Sequence, residues 1–354
     1  MADIMSTVLV TCPLTPEEQQ RLQASCDVRL VPGSPRPLAR EVFLKHVRGV
    51  HGLIVMPPDR VDAELLDAAG PQLKVVGTIS VGLEHIDLEE CRRRSILVGY
   101  TPGVLTTAVA ELTVALLLMT IRHLQDGQFI GANRLGIGTL LSQRMREDIY
   151  DCRSTLGALW SLGSAWKRPT VAERRRNQRQ CSGHRGAGQD RPRCRHSPES
   201  LSTCAHRLLQ QQHRKAGADL VGAELVSWEE LLSQSDIVIA TCSMKGTQNY
   251  NLFNAATFAR MRSSSIFINV TRGALVDQEA LLSALTSGQI AAAGLDVTNP
   301  EPLPTDHPLL QLPNVTVLPH LGSATRRART TMSHVTVNNV LAGLQGQMLP
   351  SPAP

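Results

Sequence analysis

Three ionisable side chains follow short apolar runs in the second half of the sequence and could together bind and protonate a small oxo acid. Arg272 follows the run in FINVTRGALVD, Glu301 stands between prolines after AAAGLDV, and His320 follows VTVLP. If these runs are parallel strands, their carboxyl ends meet at the edge of the sheet where ligands bind. A guanidinium can hold a carboxylate by a fork of hydrogen bonds, and an imidazolium oriented by a carboxylate can protonate a carbonyl oxygen. The trio therefore indicates reduction of a 2-oxo acid.

Each residue of the trio also has an ordinary structural interpretation. An arginine after a strand often forms a surface ion pair, and a Pro-His pair before Gly-Ser can cap a helix. A Pro-Glu-Pro run is typical of a solvated turn. Their common placement after three successive predicted strands favours the catalytic interpretation over these alternatives.

The trio needs a framework of parallel strands, and the sequence predicts one. Short apolar runs typical of buried strands lie at 8–11, 52–56, 73–79, 96–99, 237–240, 265–270 and 315–318. Helices are predicted to begin at Thr15, to span 60–69 before Gly70, to begin with a cap at Ser227, and to begin near Ser323. A run at 108–121, apolar on nearly all sides, predicts a buried helix between two domains. This alternation predicts an α/β fold with parallel sheets.

The length and composition indicate a protein of two ordinary domains. The chain has 354 residues, of which 42% are apolar and 19% charged, values typical of a soluble globular protein. Its apolar runs are too short for a membrane span, and MADIMSTVLVTCP lacks the core of a signal peptide. Eight scattered cysteines are typical of reduced thiols. We therefore expect a cytoplasmic protein without a membrane partner.

One segment gives the whole chain its net charge of +5. Residues 166–215 hold 13 Lys and Arg against 3 Asp and Glu, a local charge of +10, so the rest of the chain carries −5. The alternative interpretation is an arginine-rich nucleic-acid arm, but aromatic residues and any fold signature are lacking, and we expect no nucleic-acid partner. Its cysteine–histidine pairs match no zinc-finger spacing, so we expect no metal site. These pairs are Cys181 with His184, Cys194 with His196, and Cys204 with His206.

A family resemblance is carried by three long motifs: TISVGLEHIDLEECRRRSILVGYTPGVLTTAVAELTVALLLMTIR, FINVTRGALVDQEALLSALTSGQIAAAGLDVTNPEPLP and VTVLPHLGSATRRARTTM. Over residues 5–122 and 216–350 the chain resembles the D-2-hydroxyacid dehydrogenase family. The resemblance implies that Arg272 binds substrate, His320 is the acid/base and Glu301 is its carboxylate partner. It further implies a substrate site and a cofactor site. The substrate residues are Val81, Gly82, Arg272, Asp296, His320, Leu321, Gly322 and Ser323, and the cofactor residues are Ser243, Val270, Asp296 and Gly322.

The same resemblance implies a domain organisation. We expect two flavodoxin- or Rossmann-like domains, each doubly wound around a parallel sheet, with the active site between them and assembly as a homodimer. The substrate domain would comprise residues 1–121 and 325–354, and the NAD(P)-binding domain residues 122–324. Residues 123–166 are longer than the family's connection at this place and are interpreted as an insertion.

The family's phosphate-binding loop is missing from the NAD(P)-binding domain as written. Such a loop needs an apolar strand, a G-x-G-x-x-G turn and a helix whose N-terminus faces the pyrophosphate. The sequence has SGHRGAGQDRP at this place, where Gly186 and Gly188 fit but Arg191 occupies the third glycine position and Pro192 follows. We therefore expect this domain to be disrupted over its first βαβ unit.

A shifted reading frame restores the missing loop. Read from the second base of each codon, residues 183–191 permit Gly-Ile-Val-Gly-Leu-Gly-Arg-Ile-Gly, and residues 169–174 permit Pro-Leu-Trp-Leu-Ser-Gly, which resembles the segment before the family's loop. We interpret residues 168–215 as a frame-shifted segment. In the shifted frame residues 210–212 become Asn or Ser, without a carboxylate for the adenosine ribose. This favours NADP(H) as cofactor, with NAD(H) as the alternative.

The expected function follows from the resemblance. It implies NAD(P)H-dependent reduction of the small 2-oxo acids glyoxylate and hydroxypyruvate to glycolate and D-glycerate, impaired in the chain as written because the pyrophosphate site is lost. The alternative is a nucleotide-sensing transcriptional co-repressor of the same broad family, which would not need efficient turnover. The complete set of Arg272, Glu301 and His320 argues against that alternative.

Overall fold

The computed structural model describes residues 5–31, 38–124, 207–208, 224–244 and 248–354 of the chain. It divides into two compact units, Met1–Val109 with Ser323–Pro354, and Ala110–Gly322. The insertion predicted at 123–166 and the frame-shifted segment predicted at 168–215 lie outside the described residues, apart from 123–124 and 207–208. The cysteine–histidine pairs lie outside them as well. The domain limits taken from the resemblance stay a prediction.

The first unit is built around a five-stranded parallel sheet of order β2-β1-β3-β4-β5. This is the flavodoxin-like order, in which helices connect neighbouring parallel strands, and it confirms the predicted fold class. The strands are β1 Thr7–Val10, β2 Asp27–Leu30, β3 Gly52–Val55, β4 Val75–Thr78 and β5 Leu97–Gly99. The helices of this half of the chain are α1 Pro16–Ser25, α2 Arg40–His46, α3 Ala63–Ala69, α4 Leu88–Arg93 and α5 Thr106–Ile121.

The second unit contains a four-stranded parallel sheet of order β11-β10-β9-β8. Its strands are β8 Ile237–Ala240, β9 Ile266–Asn269, β10 Ala292–Leu295 and β11 Val315–Val317, and its helices are α6 Trp228–Gln234, α7 Ala255–Phe258 and α8 Gln278–Thr286. Its described residues also form two 3₁₀ helices, Gly273–Leu275 and Pro308–Gln311. A separate ladder pairs β6 Arg207–Leu208 with β7 Glu224–Leu225, and it shares no strand with the larger sheet within the described residues.

Burial explains why the strands could be recognised from the sequence. Every residue of β3, β4, β9 and β10 is buried, so each of these strands is a nearly continuous apolar run, as parallel strands covered on both faces are. The strands predicted at 8–11, 52–56, 73–79, 96–99, 237–240, 265–270 and 315–318 are all confirmed, most of them one or two residues shorter.

Helix starts follow the side chains that can cap them. The predicted cap at Ser227 is confirmed, since its hydroxyl accepts from the Glu230 amide at 3.2 Å and the Glu230 carboxylate accepts from the Ser227 amide at 2.9 Å. The start predicted at residue 60 is wrong, because the Asp62 carboxylate caps α3 by accepting from the Leu65 amide. The helix start predicted near Ser323 lies two residues later, because Thr325 caps the final helix, α9 Arg326–Leu344.

The apolar helix α5 is less buried than its sequence predicts. Leu116, Leu117 and Ile121 are buried, but Ala115 on another face is exposed. The prediction of a buried helix is therefore confirmed for only one face of α5, and its position between two domains stays a prediction. None of the helices in the described ranges, α5 included, is long and apolar enough to cross a bilayer.

Helix α9 lies against the first sheet at glycines, which allow a close approach. A methyl group on Gly77 of β4 would lie 2.7 Å from Cγ2 of Val340 and 3.0 Å from Cγ2 of Thr336. A methyl group on Gly343 of the helix would lie 2.7 Å from Cβ of Val75. Because helix and strand each contribute a glycine, neither side has room for a larger residue.

We therefore predict that Gly77→Ala destabilises the first unit by about 1–3 kcal/mol through overpacking. The measurement is amide hydrogen exchange across β4 and α9, which should accelerate in the variant. Ser25→Thr adds one methyl group at an exposed position of the same unit and should change the free energy of unfolding by less than about 0.5 kcal/mol. Unchanged exchange in Gly77→Ala would contradict this packing.

Candidate active site

The carboxyl ends of three adjacent strands carry the predicted trio. Arg272 lies three residues after β9, Glu301 lies in the loop that follows β10, and His320 lies three residues after β11. Since these strands are parallel neighbours in one sheet, their carboxyl ends share one edge, as the sequence predicts.

His320 and Glu301 form a direct hydrogen bond between Nδ1 and Oε1. Their side chains keep 42% and 40% of their surface exposed, so both can reach a bound molecule. An ionised carboxylate can only accept, so the shared proton is on Nδ1 and Nε2 is left to exchange a proton with a ligand. The structure therefore brings together two members of the predicted trio.

Asp296 holds the backbone turn that presents His320. His320 has φ of 55°, in the left-handed region that a residue with a side chain rarely adopts. Its amide donates to the Asp296 carbonyl at 2.9 Å, and the next two amides, of Leu321 and Gly322, donate to the Asp296 carboxylate at 2.6 and 2.8 Å. Such a conformation costs about 1–3 kcal/mol and persists only where the surroundings fix it, as these three hydrogen bonds do.

Asp296 itself is almost fully buried, with 1% of its surface exposed. This burial raises the pKa of the Asp296 carboxyl above its ordinary value, and the two amide donors offset part of that rise. The residue predicted to contact substrate and cofactor therefore directs its carboxylate toward the backbone of Leu321 and Gly322.

Arg272 lies in a tight turn fixed by Asn269, the last residue of β9. The Asn269 amide group donates to the Arg272 carbonyl at 2.9 Å, while its oxygen accepts from the amide and the hydroxyl of Thr271 at 3.1 and 3.0 Å. The Arg272 guanidinium, which is half-buried, donates to the Thr271 carbonyl at 2.8 Å. The Asn269 side chain thus fixes the backbone conformation between the end of β9 and Arg272.

The loops that carry Arg272 and Glu301 touch at Gly273. A Cβ atom on Gly273 would lie 1.9 Å from the carbonyl oxygen of Thr298, which is a severe steric clash with the backbone. Beyond this contact, the Asn299 amide donates to Oε1 of Gln278 at 3.1 Å. Glycine is therefore required for the two loops to lie together at this distance.

The remaining predicted residues fall in both units. Val81 is exposed and Gly82 buried in the first unit, after Ser80, whose carbonyl accepts from the Thr101 amide at 3.0 Å. Ser323 begins the C-terminal segment of that unit. In the second unit Ser243 and Leu321 are exposed, and Val270 and Gly322 are buried. Their substrate and cofactor roles stay predictions.

Two supporting residues were missed by the sequence analysis. Asn269 is the only polar residue within the apolar run IFIN of β9, and a polar side chain at the end of a buried strand was the available signal. Gln278 has no comparable signal, because an amide at the first position of a helix is ordinary. In the described part of the chain, no three metal-ligating side chains converge.

Comparison with known proteins decides the family. The sequence model described as D-isomer specific 2-hydroxyacid dehydrogenase, NAD binding domain, matches residues 203–322. Over 345 residues the chain is 39% identical to the glyoxylate reductase/hydroxypyruvate reductase of Mus musculus, covering 97% of this chain and 96% of that protein. The chain belongs to the family of D-isomer specific 2-hydroxyacid dehydrogenases.

Solved structures agree with this dehydrogenase fold. The TT0316 protein from Thermus thermophilus matches with a TM-score of 0.76 at 31% identity, over 98% of this chain and 100% of that chain. An NADPH-dependent glyoxylate/hydroxypyruvate reductase from Sinorhizobium meliloti, in complex with NADP and malonate, matches with a TM-score of 0.69 over 99% of this chain and 97% of that chain. At 24% identity the second likeness concerns the fold alone.

The contact at Gly273 yields a first prediction for this dehydrogenase. Gly273→Ala forces the Thr298 carbonyl to move, so we expect the second unit to lose about 3 kcal/mol or more. Hydrogen exchange in peptides spanning residues 269–302 should accelerate. Ser263→Thr, an exposed addition of one methyl group in the same unit, should leave that exchange unchanged. Equal exchange in Gly273→Ala and the unsubstituted chain would contradict the contact.

The raised pKa of Asp296 yields a second prediction, on pH dependence. Because the folded-state pKa lies above the unfolded value, the native chain binds this proton more tightly than the unfolded chain. The stabilisation from Asp296 is therefore greatest at low pH and decreases as pH rises from the ordinary aspartate pKa through the raised one.

Asp296→Asn removes this titration. The measurement is the Tm of both chains from about pH 4 to about pH 7. As pH falls, the Tm of the unsubstituted chain should rise relative to that of the variant. A difference that does not depend on pH would contradict the prediction.

Proposed function

We propose that this chain reduces small 2-oxo acids, glyoxylate and hydroxypyruvate, to glycolate and D-glycerate with a nicotinamide cofactor. The observation that carries the proposal is the His320–Glu301 hydrogen bond at the carboxyl edge of a parallel sheet, beside the turn that holds Arg272. The name of a relative supports it, since the mouse protein, at 39% identity, is a glyoxylate reductase/hydroxypyruvate reductase.

The three side chains have separate roles in this proposal. Arg272 binds the substrate carboxylate and carbonyl oxygen through its fork of N–H donors. Nε2 of the His320 imidazolium donates a proton to the carbonyl oxygen, on which negative charge develops during reduction. Glu301 accepts from Nδ1, so it orients the ring and leaves Nε2 directed to the substrate.

The described residues fit the nicotinamide end of a cofactor site. Strands β8 and β9 end level with one another, since Ala240 pairs with Asn269. Ser243 and Val270 therefore follow adjacent strand ends, where nucleotides bind in open parallel sheets. The cofactor, when bound, supplies the hydride. The sequence SGHRGAGQDRP, which occupies the place of the pyrophosphate loop, lies outside the described residues.

We further propose NADP(H) as the preferred cofactor and an impaired cofactor site in the chain as written. A carboxylate after the second strand of a nucleotide fold, the place that the resemblance gives to residues 210–212, would select NAD by binding the ribose. Neither the written sequence nor the shifted reading has a carboxylate there. A site without its glycine turn and helix N-terminus lacks the amide donors that bind pyrophosphate.

The proposal includes a cytoplasmic homodimer without nucleic-acid or membrane partners. A co-repressor function is not favoured, because an exposed histidine hydrogen-bonded to a carboxylate can serve as an acid/base pair and the mouse relative is a reductase. A protein that only binds the nucleotide would need the turns after β9 and β11. It would not need an exposed histidine that is oriented by a carboxylate.

The function is tested by hydroxypyruvate-dependent oxidation of NADPH. We expect turnover in a version whose residues 168–215 are read in the shifted frame, and at least about 100-fold slower turnover in the chain as written. In the frame-restored version, His320→Gln should lower kcat by about 100-fold or more because the proton donor is lost.

A matched control exists in the first unit. His334 also pairs with a carboxylate, with Nδ1 at 2.7 Å from Oε1 of Glu18, but it lies on α9. His334→Gln should leave kcat within about twofold. Equal activity of the frame-restored version and its His320→Gln variant would overturn the proposed role of His320.

A further inference from the structure

Asn269 is hydrogen-bonded to the turn that carries Arg272 and, through Asp296, is linked to the turn that carries His320. It is fully buried, and its side chain makes its three hydrogen bonds with Thr271 and Arg272 alone. Its backbone carbonyl accepts from the Asp296 amide at 2.9 Å, and the Asp296 carbonyl in turn accepts from the His320 amide at 2.9 Å. A displacement at Asn269 would therefore reach both turns.

Only a short amide can make these contacts. The turn requires an acceptor for the Thr271 amide and hydroxyl, and a donor for the Arg272 carbonyl. Aspartate has acceptors but no donor, leucine has neither, and alanine leaves three polar groups of the half-buried Thr271 and Arg272 without this partner. The side chain thus selects one backbone path between the end of β9 and the arginine.

We propose that Asn269 is a positioning residue for the reaction: it aligns the Arg272 guanidinium with the substrate by fixing the Thr271–Arg272 turn. The proposal rests on the substrate-binding role given to Arg272 above. Asn269 lies under the turn with none of its surface exposed, so its effect on substrate binding passes through the backbone of Arg272. If the guanidinium is misaligned, a bound 2-oxo acid makes fewer hydrogen bonds to it. The KM for that substrate therefore rises.

The experiment compares Asn269→Ala and Asn269→Asp with a control at Asn339. Asn339 is equally buried, and its side chain likewise both donates to and accepts from backbone groups. It donates to the Tyr100 carbonyl at 3.1 Å and accepts from the Ser351 amide at 2.9 Å. It lies on α9 in the first unit, so Asn339→Ala controls for the loss of a buried amide as such.

The first readout is labelling of Arg272 by phenylglyoxal in the full chain, measured by peptide mass spectrometry relative to the exposed Arg262. We expect Asn269→Ala to raise this ratio about threefold or more, because the guanidinium loses its fixed turn. Asn269→Asp keeps the acceptor contacts and should give a smaller rise, and Asn339→Ala should give none. An unchanged ratio in Asn269→Ala would overturn the proposal.

The second readout is the split between KM and kcat in the frame-restored version. Asn269→Ala should raise the KM for hydroxypyruvate about tenfold and leave the KM for NADPH within about twofold. On an Arg272→Lys background the same substitution should add little, because both changes act on one contact. Additive effects on KM would show that Asn269 acts apart from Arg272 and would overturn the proposal.

The failure of the proposed function has a different signature. If the chain is not a reductase of 2-oxo acids, the unsubstituted frame-restored version does not oxidise NADPH with hydroxypyruvate at all. The phenylglyoxal ratio does not depend on turnover, so it still decides whether Asn269 positions Arg272.

Discussion

The candidate site depends on backbone hydrogen bonds that run sideways across the carboxyl ends of β9, β10 and β11. Asp296 donates its amide to Asn269 and accepts from the amide of His320, each at 2.9 Å. These bonds continue the ladder of the parallel sheet by one residue beyond the strands, where the chain would otherwise diverge into loops. The arginine turn and the histidine turn are thereby fixed to the same rigid element.

The predicted acid/base pair, His320 and Glu301, lies within the second unit. His320, Glu301, Asp296 and Arg272 all lie within Ala110–Gly322, and their mutual contacts involve the strands from β9 onward. The written segment 168–215 precedes those strands in the chain. The proposed defect in the pyrophosphate loop is therefore compatible with the observed geometry of the predicted trio.

The sequence predicted the strands and the trio because buried parallel strands are apolar runs and because their ends share an edge. It did not predict β2, Asp27–Leu30, since DVRL has an edge strand's partly exposed pattern. It misplaced the start of α9, because Ser323 and Thr325 are equally good caps and only the fold selects between them. The contacts of Asn269 and Gly273 could not be predicted, because they depend on backbone paths that sequence pattern does not specify.

We propose that residues 168–215, as written, replace the pyrophosphate-binding unit of this dehydrogenase. The most direct test is calorimetric titration of NADPH into the chain as written and into the frame-restored version. The account predicts micromolar binding by the restored version and affinity at least about 100-fold weaker in the chain as written. Equal micromolar affinity in both would contradict the claim, because the glycine turn would then be dispensable for binding the cofactor.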